Sequence, residues 1–428
     1  MDLAISKALD SRSDSMNTWA DKVKESIIGL IIALAFCSAG TAEADEYHYT
    51  NILIGERAAG MAGAYTAVSD DPSGLFYNPA GIVYAPSSNI SASVNAYNQQ
   101  DKNYKQGLSG LSDWNRKSTT FVPNFFGIIQ PLGQGVIGFS YAVPNSVTED
   151  QDLDLTDPAP GISRYIINFN NDDRTYKIGP SYARAVNDRF SMGMTLYFHY
   201  WKRQWISNQL AVVDSGSYQH TNTYFQTSEY GIEPMLGMMW SPVDKLALGL
   251  TASKTLLYSS SLALQMVNRD ATTNELTITK SNSNEKRVQP IHLKVGAAYF
   301  PTSKLLLSMD VSHFSATKDP TFGDRTAVTN VAFGAEYYVK PTLALRGGIY
   351  TDNANTPKLQ SSGSNQREHI DLLGVSASIT SFTRNSSLTL GLNYTFGDGR
   401  AQIVGGSNYI QSVTTQSVSV FMATSYNY

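Results

Sequence analysis

From Ser88 to Tyr428 the chain alternates apolar and polar residues with a period of two, and this pattern constrains the fold most. Leu388, Leu390, Leu392, Tyr394 and Phe396 fall on one face of their segment, and Thr389, Gly391, Asn393 and Thr395 on the other. Phe190, Met192, Met194, Leu196, Phe198 and Tyr200 repeat the pattern, as do Val331, Phe333, Ala335, Tyr337 and Val339. Successive strand residues point to opposite faces, so the period marks strands with two unlike surfaces. About fourteen such segments follow one another, near 88–100, 118–130, 135–145, 173–187, 189–206, 226–241, 245–258, 288–301, 304–315, 327–339, 342–353, 368–381, 386–397 and 414–428. An even number of strands of about ten residues, apolar outside and polar inside, is the requirement for a bacterial membrane barrel.

The connections test this independently. Short ones (LGQG after Pro131, then 186–189, 241–245, 300–304, 339–342 and 381–387) alternate with long ones near 101–117, 146–172, 207–225, 259–287, 316–326, 354–367 and 398–413. Short periplasmic turns alternating with long outer loops are usual in outer-membrane barrels, and a soluble sandwich has no reason to keep that parity. The last segment places Val418, Val420, Met422, Tyr426 and Tyr428 on one face, broken only by Thr424. A terminal aromatic after alternating apolar residues resembles the signal read by the barrel assembly machinery, which is the expected partner during biogenesis. The expected fold class is therefore all-β, a 14-stranded antiparallel transmembrane β-barrel, placed in the bacterial outer membrane among its lipid and lipopolysaccharide.

Composition agrees. Charged residues make up 16% of the chain, against about 25% in ordinary soluble proteins. The 25 Tyr and 17 Phe suit an apolar exterior with aromatic belts. A net charge of −4 and the lack of a basic patch give no footing for nucleic acid. The one cysteine, Cys37, precedes the strands, which excludes a disulfide framework or a Cys nucleophile within them. His48, His199, His220, His292, His313 and His369 lack metal-ligand spacing, and no G-x-S-x-G or P-loop occurs, so neither an enzyme nor a cofactor is expected. Asp70-Asp71 precedes Pro72 and reads as a turn or cap rather than an acid pair.

The longest apolar run, Ser26 to Cys37, is shorter than the roughly 20 residues of a membrane helix. Lys22 and Lys24 precede it and Ala42-Glu43-Ala44 follows, which together make a secretory signal peptide cleaved after Ala44, with Met16 as a second candidate start. A lipoprotein would need a small residue before Cys37, and Phe36 stands there. The expected organisation is a leader over 1–44, an N-terminal hatch over 45–87 and a barrel over 88–428. The hatch segment, rich in Gly and Ala with two Pro-containing turns, reads as short helices and turns rather than strands.

The carrying residues of a resemblance lie in that segment: Arg57-Ala58-Ala59-Gly60-Met61, Gly63-Ala64-Tyr65, Ala67-Val68-Ser69-Asp70-Asp71-Pro72 and Asn78-Pro79-Ala80-Gly81. They resemble the FadL/TodX family of outer-membrane hydrophobic-compound transporters, and the strand–turn–strand units 123–132, 244–250, 293–314 and 333–350 extend the likeness over nearly all of the mature chain. The resemblance implies a hatch inside a fourteen-stranded barrel, ending at the NPA motif, and uptake of a hydrophobic small molecule such as a long-chain fatty acid or hydrocarbon. It also implies a side opening where the third strand kinks away from its neighbour. Similar hatch motifs occur in PorV-type barrels of a protein secretion system, so a role in binding and handing over secreted proteins stays open.

Several residues become candidates for function. Asn78, Pro79, Ala80 and Gly81 are candidate gating residues, and Ile52, Leu53, Ile54, Met61 and Phe76 candidate lining of a greasy hatch pocket. Gly138 and Pro144, on the expected third strand Gly135–Asn145, are candidates for the side opening, because glycine weakens a strand and proline cannot donate to the ladder. Closing the 300–304 turn with Tyr299 opposite Leu305 sets Lys294 opposite Asp310, and pairing Val339 with Leu343 sets Glu336 opposite Arg346. Such lumen pairs serve wall electrostatics, hatch anchoring or a substrate carboxylate. Trp201 and Trp205, at the loop end of a long strand, read as interfacial belt residues. The expected state is a monomer.

Overall fold

The computed structural model describes residues 47–85, 87–108, 112–159, 161–271, 273–364, 366–402 and 409–428. The leader over 1–44, its cleavage site and Cys37 lie outside the described residues. The hatch begins the described chain with two short helices, α1 (Glu56–Gly60) and α2 (Gly74–Tyr77), and a 3-10 helix over Pro79–Tyr84. Sixteen strand segments follow. They are β1 (Asn89–Leu108), β2 (Ser112–Leu132), β3 (Gly135–Ala159), β4 (Ile162–Asn187), β5 (Phe190–Val213), β6 (Tyr218–Val243), β7 (Leu246–Lys254), β8 (Leu256–Asp270), β9 (Glu275–Ser283), β10 (Ile291–Thr302), β11 (Leu305–Phe314), β12 (Val328–Lys340), β13 (Leu343–Asp352), β14 (His369–Phe382), β15 (Ser386–Ala401) and β16 (Gln411–Asn427).

These segments make a closed fourteen-stranded antiparallel barrel. β8 continues β7: β6 pairs Met235 with Ser253 and Ile232 with Leu256 in one unbroken register. β9 likewise continues into β10, because Leu262 pairs with Ser283 and Lys254 with Ile291 in the same register. β1 closes the ring on β16, with Asn89 opposite Asn427, and the Tyr428 N–H donates to the Ser88 carbonyl at 3.1 Å. A closed ring leaves no lipid-facing edge, as a membrane-spanning sheet requires. Among the described residues no helix is long and apolar enough to cross a membrane.

The alternation sorts the two faces as read. On β15, Leu388, Leu390 and Leu392 are exposed on the outside, while Thr389 is buried within. An outer aromatic row runs across β3 to β6, where Tyr141 meets Tyr176 at 6.3 Å, Tyr176 meets Tyr200 at 5.8 Å and Tyr200 meets Tyr230 at 4.9 Å between ring centroids. Amphipathic rings in this position mark a membrane–water interface.

Two expectations need correction. The long connections near 101–117, 146–172, 207–225 and 259–287 are largely strand: β1 to β6 run 20 to 26 residues each, well beyond the roughly ten that cross a bilayer. Beyond the lipid both faces can be polar, so the extensions lose the alternation that reveals a strand. Trp201 and Trp205 are not belt residues. They sit on the inward phase of β5, opposite to Phe198 and Tyr200, and are 5% and 6% exposed. On purification the protein should be β-rich by circular dichroism and migrate differently on gels before and after boiling; substantial helix beyond the hatch would contradict the barrel.

Candidate functional site

The hatch lies inside the lumen, and its irregular backbone finds many of its partners on the wall. The Asn78 amide is the central example. Its Nδ2 donates to the Thr66 carbonyl at 2.8 Å and to the Met238 carbonyl of β6 at 3.0 Å, and its Oδ1 accepts from the Ala80 N–H at 3.1 Å. Asn78 thus caps the 3-10 helix, with Pro79 in the first helical position where no N–H is needed. Ser191 donates to the Ala80 carbonyl at 2.8 Å, and Thr195 and Tyr197 both donate to the Leu75 carbonyl at 3.0 Å.

The lumen charges hold the hatch. Glu336 and Arg346 pair across β12 and β13 in the expected register, with Arg346 Nε at 2.5 Å. The same Glu336 carboxylate takes Arg57 of α1 through two bonds, at 2.7 and 2.6 Å, and Arg57 also pairs with Asp70 at 2.5 Å. The Lys294–Asp310 pair forms at 3.1 Å, although the turn closes on Thr302 opposite Leu305 and the register differs from the expected one: Tyr299 faces Leu307, and Asp310 faces Gly296 rather than Lys294. Asp310 accepts from the Tyr65 and Thr66 N–H groups, each at 2.9 Å, and from the Thr66 hydroxyl at 2.7 Å, while Lys294 donates to the Gly63 carbonyl at 3.1 Å. Both pairs are thereby engaged by the hatch. Asp71 makes a local cap, accepting from the Ser73 N–H at 2.8 Å. Glu56, not singled out from the sequence, accepts from Ser387 at 2.8 Å and Thr389 at 2.6 Å.

Steric fit depends on wall glycines. A Cβ on Gly237 would lie 2.2 Å from Asn78 Oδ1, and one on Gly193 would lie 2.6 Å from the Ala80 nitrogen. Gly138, expected to weaken the third strand, is paired on both sides, with Ile129 and Ser181. Its role is to admit Leu75, whose Cδ2 would be 2.4 Å from an added Cβ.

The β2–β3 ladder is broken just above that point. Pairing runs up to Phe125 opposite Ala142 and resumes at Ser118 opposite Glu149. The register is the same on either side and sets Pro123 against Pro144, neither of which has an N–H to give. The hatch bridges the break: the Ile52 N–H donates to the Pro144 carbonyl at 3.2 Å, Asn124 donates to the Leu53 carbonyl at 3.0 Å, and Asn51 donates to Asn145 at 3.0 Å. Asn78-Pro79-Ala80 is elsewhere, against β5 and β6.

Above the hatch lies a cavity of about 280 Å³. Ile52, Leu53 and Phe76 line it; Ile54 and Met61 do not, being wholly buried between hatch and wall. The expected greasy pocket is instead mixed. Lys177 pairs with Glu233 at 2.8 Å, and Arg287 pairs with Glu229 at 2.6 Å while lying 3.8 Å over the Trp201 ring. Trp201 Nε1 donates to Asp173 at 2.9 Å. The sequence signal for this lining is parity, since Lys177, His199, Trp201 and Glu233 all lie on the inward phase of their strands.

No family model matches the sequence, and no curated protein matches it. Solved structures do match. A Pseudomonas aeruginosa FadL homologue superposes with a TM-score of 0.65 at 14% identity, covering 89% of this chain and 99% of that one. The P. putida toluene transporter TodX gives 0.65 at 12% identity, with 89% and 99% covered. The Ralstonia pickettii toluene transporter TbuX gives 0.61 at 13%, again with 89% and 99%. The chain therefore has the FadL/TodX-type barrel fold.

Replacing Glu336 with Gln leaves Arg57 and Arg346 buried without their shared anion, which should weaken hatch docking by about 3–5 kcal/mol. The expected readouts are faster trypsin cleavage at Arg57 and steady ion conductance in planar bilayers, with the barrel still heat-modifiable. Gly237→Val should act in the same direction by clashing with Asn78.

Proposed function

We propose that this chain is a monomeric outer-membrane channel for passive uptake of hydrophobic small molecules, which leave through the side of the barrel. The observation that carries the reading is the conjunction of a plugged lumen with a broken β2–β3 ladder beside the plug. In this reading residues 1–44 are a removed leader, 45–87 the hatch and 88–428 the barrel, assembled by the general barrel machinery into a lipid and lipopolysaccharide membrane. The fold supports it, since proteins that share it are described as toluene transporters and a monoaromatic hydrocarbon channel.

The physical case rests on where an apolar cargo can go. Re-exposing apolar surface to water costs about 25 cal/mol per Å², so passage through an aqueous channel gains nothing. Passing between β2 and β3 into lipid avoids that cost. The gate proposed is Ile52–Leu53, because these hatch residues span the break; Asn78, Pro79, Ala80 and Gly81 instead fix the hatch to β5 and β6. Long-chain fatty acids and hydrocarbons are the substrate classes to try first.

Cysteines at Val122 and Asn145, opposite one another across the break, can be joined by a short bismaleimide because residues 47–428 contain no other thiol. The crosslinked barrel should lose uptake of a hydrophobic substrate into proteoliposomes while keeping ligand bound. Undiminished uptake through a verified crosslink would rule out the side route. Mass spectrometry of molecules copurifying with the protein tests the substrate class, and a stoichiometric protein partner with no ligand would count against transport.

A further inference from the structure

The cavity above the hatch is lined by two imidazoles with ring nitrogens that no protein group takes. His199, on β5, is 7% exposed, lines the cavity, and has neither ring nitrogen hydrogen-bonded. His292, on β10, also lines the cavity, and its Nε2 has no partner. The His292 ring stacks on Phe314 at 4.0 Å, and Phe314 stacks on Tyr49 at 4.0 Å. A buried polar group left unpaired is costly, so a ligand that takes the place of water in this cavity binds best when it satisfies these nitrogens.

The charges around them argue against an anion as that group. Five cations line the cavity; Lys177, Arg287 and Lys294, the three whose charge acts on the two imidazoles, are matched one to one with Glu233, Glu229 and Asp310, while Lys254 and Arg325 line it without acting on them. Glu233 is saturated further by the Thr255 hydroxyl at 2.8 Å. A free carboxylate would compete with acids already in place. A neutral imidazole offers one donor and one acceptor, which is the complement of a hydroxyl, itself donor and acceptor. Phe314 is held between Tyr49 and His292, so the outer faces of that stack, with Phe76 on the hatch, provide the surface that an aromatic ring would pack against. The cavity, at about 280 Å³, lies at the small end of ligand pockets.

We propose that the His199–His292 side of this cavity is a hydrogen-bonding subsite that selects a neutral hydroxyl-bearing aromatic, a phenol, over both the bare hydrocarbon and the aromatic carboxylate. The proposal rests on the uptake reading and names its substrate class. The two histidines supply the polar contacts, and an outer face of the Tyr49–Phe314–His292 stack supplies the ring platform. Discrimination arises because the hydrocarbon leaves both imidazoles unsatisfied, whereas the carboxylate must displace Glu233 or Glu229 from its cation.

The test compares binding of toluene, 4-methylphenol and 4-methylbenzoate to the full barrel in detergent at neutral pH, by calorimetry, alongside toluene uptake into proteoliposomes. The expected result is 4-methylphenol bound at least about tenfold tighter than either of the others. His199→Phe and His292→Phe should each narrow the gap between 4-methylphenol and toluene, weakening the first and strengthening the second, because the penalty that toluene incurs by leaving that imidazole unpaired is removed. Should His199→Phe fail the heat-modifiability check, His292→Phe and the wild-type series decide. Toluene bound as tightly as 4-methylphenol, or no binding with toluene uptake intact, overturns the subsite alone. Tightest binding of 4-methylbenzoate overturns it in favour of an anion site. Neither binding nor uptake of any of the three overturns the transport reading as well.

Discussion

The structure depends on how an irregular segment can be buried inside a barrel. The hatch has two short helices and a 3-10 turn, so many of its N–H and C=O groups lack partners within it. Each such group, if left unpaired away from water, costs about 1–3 kcal/mol. The wall supplies what the hatch cannot. Ser191, Thr195, Tyr197, Ser308 and Ser376 donate to hatch carbonyls, and Asp310 accepts from two successive hatch N–H groups. The polar inner face of the barrel is thus a set of specific partners as well as a wetted surface. The buried charges act in the same way: Glu336 collects one arginine from the hatch and one from the wall, so plug and barrel share a single ion cluster.

Shape follows from the same constraint. Backbone-to-backbone approach requires wall positions without a Cβ, and Gly193, Gly237, Gly334 and Gly348 occur where Pro79, Asn78, Met61 and Ala62 come closest. A side chain there would hold the hatch off the wall and separate the donors above from their acceptors. Wall glycines and wall hydroxyls therefore work as one device, the first setting the distance and the second using it.

The barrel was legible because alternation is a local property of each strand, and lipid enforces it. The Glu336–Arg346 pair stands in the expected register because a bulge between Tyr338 and Lys340 offsets a turn that closes on Lys340–Leu343 rather than on Val339–Leu343. Lys294 and Asp310 meet although the register differs by two residues from the expected one: β10 runs on to a tight turn that closes on Thr302–Leu305, and the long lysine side chain reaches the diagonal. The extensions of β1 to β6 were not legible, because strands outside the membrane need not alternate. The contact map of the hatch was hidden for a different reason: the residues that receive it lie up to 333 positions away, as Glu56 and Thr389 do. His199 and His292 looked scattered by spacing alone, yet the barrel brings both to one cavity. Strand phase was available to find them, and it would also have turned Trp201 inward.

The break between β2 and β3 joins these threads. An interrupted ladder in a membrane wall normally leaves donors and acceptors facing lipid, which is prohibitive. Here Pro123 and Pro144 stand in register opposite each other, so two of the donors at issue do not exist. The Pro144 carbonyl is taken by the Ile52 N–H, and Asn124 turns its amide inward to Leu53. The cost of an incomplete wall is thus offset by the plug, and only while the plug is docked. Withdrawing Ile52–Leu53 would at once unseal the break and leave its polar groups unsatisfied, so the wall at this point and the hatch behind it cannot change independently. That coupling ties the sealing of the break to the same hydrogen bonds that hold the hatch in the lumen.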